Sequence, residues 1–153
     1  MLTRRDLAVL MATALPAAAL PAPRRPRAAE PIPVTLYKNP SCTCCEGYAQ
    51  YLDQNGFKVD VRPTNDLAEI SAKAGIPSDL EGCHTSFIGD YVVDGHVPVE
   101  TIRKLLDGKP ALVGLTLPGM PAGSPGMFGE KTEKFTIYAI SRDGTPPRVF
   151  DVV

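Results

Sequence analysis

The stretch "IPVTLYKNPSCTCCEGYAQYLDQNGFKVDVR", residues 32–62, predicts a strand, a helix and a second strand in that order. Residues 32–39 are rich in β-branched side chains and partly alternate between apolar and polar, which favours a strand. Tyr48 and Leu52 lie four positions apart and Gly56 follows as a stop signal, which favours a helix. The alternating run "FKVDVR" predicts the next strand. A right-handed crossover would make the two strands parallel neighbours.

The next segments extend the same α/β pattern. The run "DLAEISAKAG" (66–75) begins with a D-x-x-E start signal and ends at glycine, which favours a second helix. "SDLEG" predicts a short helical turn, "TSFIGDYVVDG" (85–95) a hairpin, and "PVETIRKLLDG" (98–108) a third helix. This order is that of a thioredoxin-like mixed sheet flanked by helices. In such sheets, reaction sites collect at the carboxyl ends of the strands.

The composition of the chain changes after Lys109. Residues 110–130, "PALVGLTLPGMPAGSPGMFGE", are rich in glycine and proline and lack a period, which predicts an ordered or semi-ordered loop. "KFTIYAIS" and "PPRVFDVV" then predict a β-hairpin joined around residues 143–144. We therefore divide the chain into a thioredoxin-like metal-binding domain, residues 30–109, and a C-terminal extension, residues 110–153.

The first 29 residues have the features of an export signal and linker. A basic start with Arg4 and Arg5 precedes a short apolar run, and small residues that suit a cleavage site follow. The run is too short to span a bilayer, so no membrane span is expected after signal removal. The arginine pair partly matches a twin-arginine signal, and an ordinary secretory signal is the alternative. We expect a periplasmic protein in an oxidising compartment.

The charge of the chain argues against a nucleic-acid partner. The formal net charge is −1, and no basic stripe exists beyond the extreme N-terminus. The acidic residues are scattered along the sequence, and we interpret them as solvated surface.

Three of the four cysteines lie in "NPSCTCCEGY", residues 39–48: Cys42, Cys44 and Cys45. They would stand at the N-terminus of the first helix, whose unpaired amides favour thiolate over thiol. Thiolate is both the nucleophile of disulfide exchange and a metal ligand, so the C-x-x-C pair Cys42 and Cys45 suits either chemistry. A third cysteine favours a metal site. Adjacent Cys44 and Cys45 form a disulfide only with strain, whereas a soft metal cluster can use every sulfur.

The other soft ligands lie in two further short stretches. Cys83 and His84 precede the predicted hairpin, where a thioredoxin-like fold brings a loop against the first helix, and His96 follows the hairpin. Met120 and Met127 lie in the Gly/Pro-rich loop. Thiolate, imidazole and thioether together select copper, especially Cu(I), over zinc.

Plainer interpretations of the same residues stay open. A closed structural zinc site could use three of the cysteines and a histidine. The cysteines could instead form only a stabilising disulfide. His96 could cap a turn, and Met120 and Met127 could be loop packing. Three aromatic residues near the motifs are interpreted as core: Tyr37, Tyr48 and Phe87.

Three motifs together resemble one known family: "YKNPSCTCCEGY", "GCHTSFIGDYVVDGHVP" and "LPGMPAGSPGM". The similarity covers residues 32–152, and the family is the CxCC-containing bacterial group labelled a metal-binding domain of unknown function, which includes CopG-type periplasmic copper-resistance proteins. The resemblance implies a thioredoxin-like domain with a C-terminal extension that helps to bind metal, copper as that metal, and a role in interconverting Cu(I) and Cu(II). It implies that the sulfur ligands are Cys42, Cys44, Cys45 and Cys83. Four further residues match the family's motif positions: His84, His96, Met120 and Met127.

We predict a periplasmic copper-binding protein of copper resistance, whose thiolates hold one or more Cu(I) ions under a lid formed by residues 120–127. Cys42 and Cys45 would pair as a disulfide on oxidation and couple the thiols to copper valence, as in a copper oxidoreductase. Two rival functions are a thiol–disulfide oxidoreductase acting on proteins and a passive copper metallochaperone or buffer without redox turnover. The predicted partners are copper ions and periplasmic copper efflux or chaperone proteins, and a monomer is expected.

Overall fold

The computed structural model describes residues 30–153, and the predicted export signal in residues 1–29 lies outside the described residues. The elements in chain order are β1 (Ile32–Lys38), α1 (Thr43–Gln54), β2 (Phe57–Pro63), α2 (Leu67–Lys73), a 3-10 turn (Ser78–Leu80), β3 (His84–Ile88), β4 (Tyr91–Gly95), α3 (Val99–Gly108), β5 (Leu112–Leu117), β6 (Thr136–Ser141) and β7 (Arg148–Val152). Within residues 30–153, no helix has the length and apolar character needed to cross a membrane.

The strands form one mixed sheet in the order β2-β1-β3-β4-β5-β6-β7. Strands β1 and β2 are parallel, as predicted, while β3 runs antiparallel to both β1 and β4. Strand β5 is parallel to β4, and β6 and β7 follow antiparallel. The predicted α/β class is confirmed. The order and sense of the first four strands are compatible with a thioredoxin-like core.

Strand β5 corrects the prediction that residues 110–130 form a loop throughout. Leu112–Leu117 is a largely buried strand between β4 and β6. A strand buried on both faces shows no alternation, so its sequence has no readable period. Gly114 also misled the prediction, but it belongs in the strand because a Cβ there would collide with the Val92 carbonyl on β4. The predicted hairpin of β6 and β7 is confirmed.

Strands from both sides of the division at residue 109 belong to the same sheet. The division between residues 30–109 and 110–153 therefore stays a prediction about sequence organisation. The segment between β5 and β6 starts at β5, the neighbour of β4, and returns to the same sheet at β6.

The main core lies between the sheet and the helices α1 and α3. Leu36, Tyr48, Leu52 and Leu105 are all 0% exposed in this cluster. A smaller cluster around Ile76, Val92 and Ile140 covers the other face, since Val92 and the main-core residue Val93 are consecutive in β4. Burial of each large aliphatic side chain stabilises the fold by about 1.5–3 kcal/mol. The core therefore fixes α1, and with it the cysteine motif, against the sheet.

Candidate metal centre

The cysteine motif begins where β1 ends. After Lys38 the chain turns, with the Cys42 amide donating to the Asn39 carbonyl at 3.0 Å, and α1 starts at Thr43 with Cys42 as its N-cap. Cys42 makes no side-chain capping hydrogen bond. The first amides of α1 therefore keep their partial positive charge beside the sulfurs.

The four cysteine sulfurs lie within 4.8 Å of one another, and we call them the cysteine pocket. Cys42 and Cys45 are joined by a disulfide, while Cys44 and Cys83 are free thiols. The Cys83 sulfur lies 3.4 Å from that of Cys45 and 3.7 Å from that of Cys44. The Cys44 sulfur lies 3.4 Å from that of Cys42. The fold thus brings residue 83 to the same pocket as residues 42–45.

A buried carboxylate holds the loop that carries Cys83. Asp94 on β4 is 0% exposed and accepts hydrogen bonds from the Gly82 amide and, at 2.7 Å, from the Thr85 hydroxyl. A Cβ on Gly82 would come within 2.6 Å of Gly95 Cα, so only glycine fits this close approach. Burial raises the pKa of Asp94 to about 6. The interpretation of the acidic residues as solvated surface is wrong for Asp94, because its hydrogen bonds replace the lost water.

Two buried histidines lie on the other side of Cys83. His96 Nε2 is 3.1 Å from the Cys83 sulfur, and His84 Nδ1 is 3.5 Å from it. His96 Nδ1 lies 2.6 Å from the Pro125 carbonyl oxygen, which can only accept, so Nδ1 carries the proton and Nε2 turns its lone pair to Cys83. His84 Nε2 is buried with no hydrogen-bond partner within residues 30–153. Cys83, His84 and His96 form a second group of potential ligands, which we call the imidazole group.

The ring of Tyr48 packs against both imidazoles. Its ring centroid lies 4.5 Å from that of His84 and 5.2 Å from that of His96, and its hydroxyl donates to the Val97 carbonyl at 2.8 Å. Burial raises its pKa, which keeps the phenol neutral. Tyr48 is a core residue, as predicted, but its contact with the histidines was missed. The available signal was its place three residues after Cys45, which puts both on one helix face.

Burial also sets the protonation of the metal-ligating side chains. It lowers the pKa of His84 and of His96, so both imidazoles are neutral at pH 7. It raises the pKa of the Cys83 thiol to about 12, and the neighbouring Cys44 adds to the rise. A neutral imidazole is ready to coordinate a metal, whereas a thiol must lose its proton first. Cys83 is therefore protonated until a metal ion displaces its proton or a base accepts it.

The segment after β5 lies against the start of α1, and we call residues 118–130 the lid loop. A Cβ on Gly126, whose φ is +79°, would collide with the backbone nitrogen of Tyr48. Met127, next along the chain, is half-buried, whereas Met120 is 42% exposed. Met127 thus belongs to the part of the lid loop that is seated on α1, and Met120 lies on its outer part.

Lys38 is a further site residue that the sequence analysis missed. It is 2% exposed, and its Nζ donates to the carbonyls of Asn39, Pro40 and Cys42 at 3.4, 3.3 and 3.0 Å. Nζ also lies 3.2 Å from a Glu46 carboxylate oxygen. The ammonium group thus ties the end of β1 to the N-cap turn and places a positive charge there. Its position in the alternation of β1, on the buried face, was the available signal.

Two groups of potential ligands therefore overlap at Cys83. One offers four sulfurs and the other offers one sulfur and two imidazole nitrogens. Sulfur and imidazole donors suit copper and zinc and are poor donors for magnesium or calcium. Fold and site together define an α/β protein with a candidate metal centre lined by cysteines and histidines. The centre lies at the carboxyl ends of β1 and β4.

Comparison with known proteins identifies the family. Two solved structures, named "Copper resistance protein copG- Form 2" and "Copper resistance protein copG- Form 1", are each 34% identical to this chain, with TM-scores of 0.75 and 0.74. Each match covers 81% of this chain, and 99% and 98% of the respective structures. The family described as "Protein of unknown function, DUF411" matches residues 80–127, and no curated protein matches. The chain belongs to the family of the copper resistance protein CopG, as its three motifs predicted.

Proposed function

We propose that this chain is an exported, periplasmic copper-resistance protein that binds Cu(I) in its cysteine pocket and interconverts Cu(I) and Cu(II). The observation that carries the proposal is the convergence of sulfurs from residues 42–45 and from residue 83, in a member of the CopG family. The protein would act as a monomer and exchange copper with periplasmic efflux or chaperone proteins.

The proposed ligands are the four thiolates of the reduced pocket, supported by imidazole nitrogen. Clustered thiolates suit Cu(I), and a sulfur can bridge two ions, so the pocket can hold more than one. His84 supports the assignment, since its imidazole is buried and its Nδ1 lies 3.5 Å from the Cys83 sulfur. His96 is already oriented, with its lone pair towards Cys83.

The methionines would play unequal parts in binding. Met127 lies on the seated part of the lid loop and is the better candidate for a thioether contact with Cu(I). Met120 is 42% exposed, so we propose that it contacts copper only during entry or release.

Cys42 and Cys45 would couple ligation to copper valence. When their two thiolates form the disulfide, two electrons leave, and two Cu(II) ions accept them to become two Cu(I) ions. The disulfide state keeps only Cys44 and Cys83 as thiols. Oxidation of the pocket therefore removes ligands at the same time as it reduces copper, which favours transfer of Cu(I) to a partner.

Metal uptake by the reduced protein tests the binding proposal. We expect anaerobic titration to show tight Cu(I) binding that excess Zn(II) does not displace, and weaker binding in Cys44→Ser and Cys83→Ser. Equal copper binding by both variants and by wild type would contradict the assignment of Cys44 and Cys83 as copper ligands. Stoichiometric zinc uptake with no response to Cu(I) would favour the structural zinc site instead.

A second experiment separates valence change from passive storage. Reduced protein is mixed anaerobically with Cu(II) and a chromogenic Cu(I) chelator, and free thiols are counted. We expect two Cu(I) ions for each disulfide formed, located at Cys42 and Cys45 by peptide mapping. A copper metallochaperone or buffer would bind copper while its thiol count stayed constant.

One observation favours a second candidate, a thiol–disulfide oxidoreductase acting on proteins. The disulfide between Cys42 and Cys45 lies at the N-terminus of α1, where a nucleophilic thiolate would be stabilised. This candidate predicts that Cys44→Ser keeps full activity in an insulin reduction assay with metal chelated. Loss of copper binding in the same variant, with no insulin reduction by wild type, would leave the copper function as the better account.

A further inference from the structure

We propose that Cys45 has two disulfide partners, and that its bridge migrates from Cys42 to Cys83 within the folded chain. The free thiol of Cys83 lies 3.4 Å from the Cys45 sulfur, which is itself bonded to Cys42. This separation is close to a sulfur–sulfur contact, so the attacking atom is already beside its target. The inference concerns sulfur exchange in metal-free protein, so it stands or falls independently of the copper function.

The exchange needs no external oxidant or reductant. The Cys83 sulfur attacks the Cys45 sulfur, a new bond joins them, and the bond between Cys42 and Cys45 breaks. Cys42 leaves with the bonding electron pair as a thiolate. The proton of Cys83 passes to His96 Nε2, 3.1 Å away, and Cys42 takes up one proton from water as His96 returns its own. One disulfide and two thiols are present before and after the step.

The surroundings of the two bridged sulfurs decide which one leaves. Cys42 is partly exposed and caps α1, where the free amide groups stabilise a departing thiolate. Cys45 is 0% exposed, so a thiolate there would be strongly disfavoured. Attack by Cys44 on Cys42, whose sulfurs lie 3.4 Å apart, would expel this buried Cys45 thiolate. Attack by Cys83 on Cys45 is therefore the favoured exchange.

Migration would change what the pocket offers to other molecules. The bridge between Cys42 and Cys45 stays within the first turn of α1, whereas a bridge between Cys45 and Cys83 joins positions 38 residues apart and locks the loop before β3 to the helix. It leaves Cys42 and Cys44, both partly exposed, as the two free thiols. The pocket would then present a thiol pair to solvent while keeping its oxidation level.

The test uses the Cys44→Ser variant, because it holds three cysteines, one disulfide and one free thiol. Purified variant with one thiol per chain is incubated with a copper chelator and iodoacetamide, then digested with trypsin without reduction. Residues 39–58 and 74–103 are separate tryptic peptides, so a bridge from Cys83 links them and a bridge between Cys42 and Cys45 does not.

Migration predicts that the alkyl label accumulates on Cys42 while peptides 39–58 and 74–103 become linked through Cys45, over about minutes to hours. The double variant Cys44→Ser/Cys83→Ser should show neither change. The result should not depend on protein concentration, which excludes exchange between chains. Label confined to Cys83, with the two peptides unlinked in both this variant and wild type, would overturn the proposal.

Discussion

The two sides of Cys83 are built in opposite ways. The sulfur side comes from one turn of chain, residues 42–45, and two of its three cysteines, Cys42 and Cys44, are partly exposed. The imidazole side brings together His84 and His96 from two strand ends, both 0% exposed and neutral, with His96 held by the lid loop. The difference indicates a division of labour. The sulfur side can form and break disulfide bonds, whereas the two histidines of the imidazole side are buried and already oriented.

The substitution Cys83→Ser should have the largest effect, because Cys83 is the residue common to both sides. We expect the Cu(I) affinity of the reduced protein to fall by about 100-fold or more, since even residues behind a metal ligand typically change affinity about 10–100-fold. Anaerobic competition with a Cu(I) probe measures the loss. The control, Cys44→Ser, removes a ligand from the sulfur side alone and should cost less. An equal or larger loss in the control would show that the two sides are not joined at Cys83.

The lid loop can be displaced without touching any proposed ligand. Gly126→Ala should lower the free energy of unfolding by about 2–4 kcal/mol, because alanine is strained at positive φ and its Cβ collides with α1. Gly119→Ala is a matched control, since Gly119 has the same φ of +79° with open space around its Cβ position. It should cost only about 1 kcal/mol. Urea denaturation of the metal-free proteins measures both.

The same two variants, Gly126→Ala and Gly119→Ala, test whether the lid loop orients the imidazole group for copper binding. Gly126→Ala should weaken copper binding beyond its effect on stability, because Pro125, which orients His96, is the preceding residue. Gly119→Ala should bind copper like wild type. Normal copper binding by Gly126→Ala at a temperature where it is folded would show that the lid loop does not orient the site.

Asp94→Asn tests the support of the loop that carries Cys83. The pKa of Asp94 is raised to about 6 in the folded chain, so the folded state binds this proton more tightly than the unfolded chain does. The resulting stability is present below about pH 4 and is lost as the pH rises through about 6. The unfolding free energy of wild type minus that of Asp94→Asn should therefore fall by roughly 1–3 kcal/mol between about pH 4 and pH 7. A difference that stays constant or rises with pH would contradict this.

The smallest effect is expected from the methionines. Met127→Leu keeps the volume of the side chain and removes its sulfur, so the fold should be nearly unaffected, with a cost below about 1.5 kcal/mol. Its Cu(I) affinity should fall by a few-fold through loss of the thioether. Met120→Leu, on the exposed part of the lid loop, should leave the affinity unchanged. A larger loss in Met120→Leu would reverse the proposed roles of the two residues.

The same comparison explains how much the sequence could predict. The sulfur side was predictable because Cys42, Cys44 and Cys45 are contiguous and follow a strand, which places them at a helix N-terminus. The fold class was predictable because β1, β2 and the helices have readable periods with clear stop signals, and because a turn signal at residues 89–90 marks the hairpin of β3 and β4. Strand β5 was missed because burial on both faces removes the alternation on which the prediction rests.

The supports of the imidazole side could not be predicted in this way. Asp94 has a residue type that is mostly exposed, and its burial is tolerated only because hydrogen bonds from the Thr85 hydroxyl and the Gly82 amide replace those of water. The orientation of His96 depends on a carbonyl 29 residues away, which no local pattern reveals. Long-range polar contacts of this kind depend on the exact packing of several elements.

The central claim is that residue 83 and residues 42–45 bind one copper centre together, and copper X-ray absorption tests it most directly. Spectra are recorded from the reduced, Cu(I)-loaded wild type and from Cys83→Ser at matched copper content. We predict a sulfur-dominated first coordination shell in wild type, with fewer sulfur and more nitrogen or oxygen neighbours in the variant. An unchanged number of sulfur neighbours in Cys83→Ser would contradict the claim.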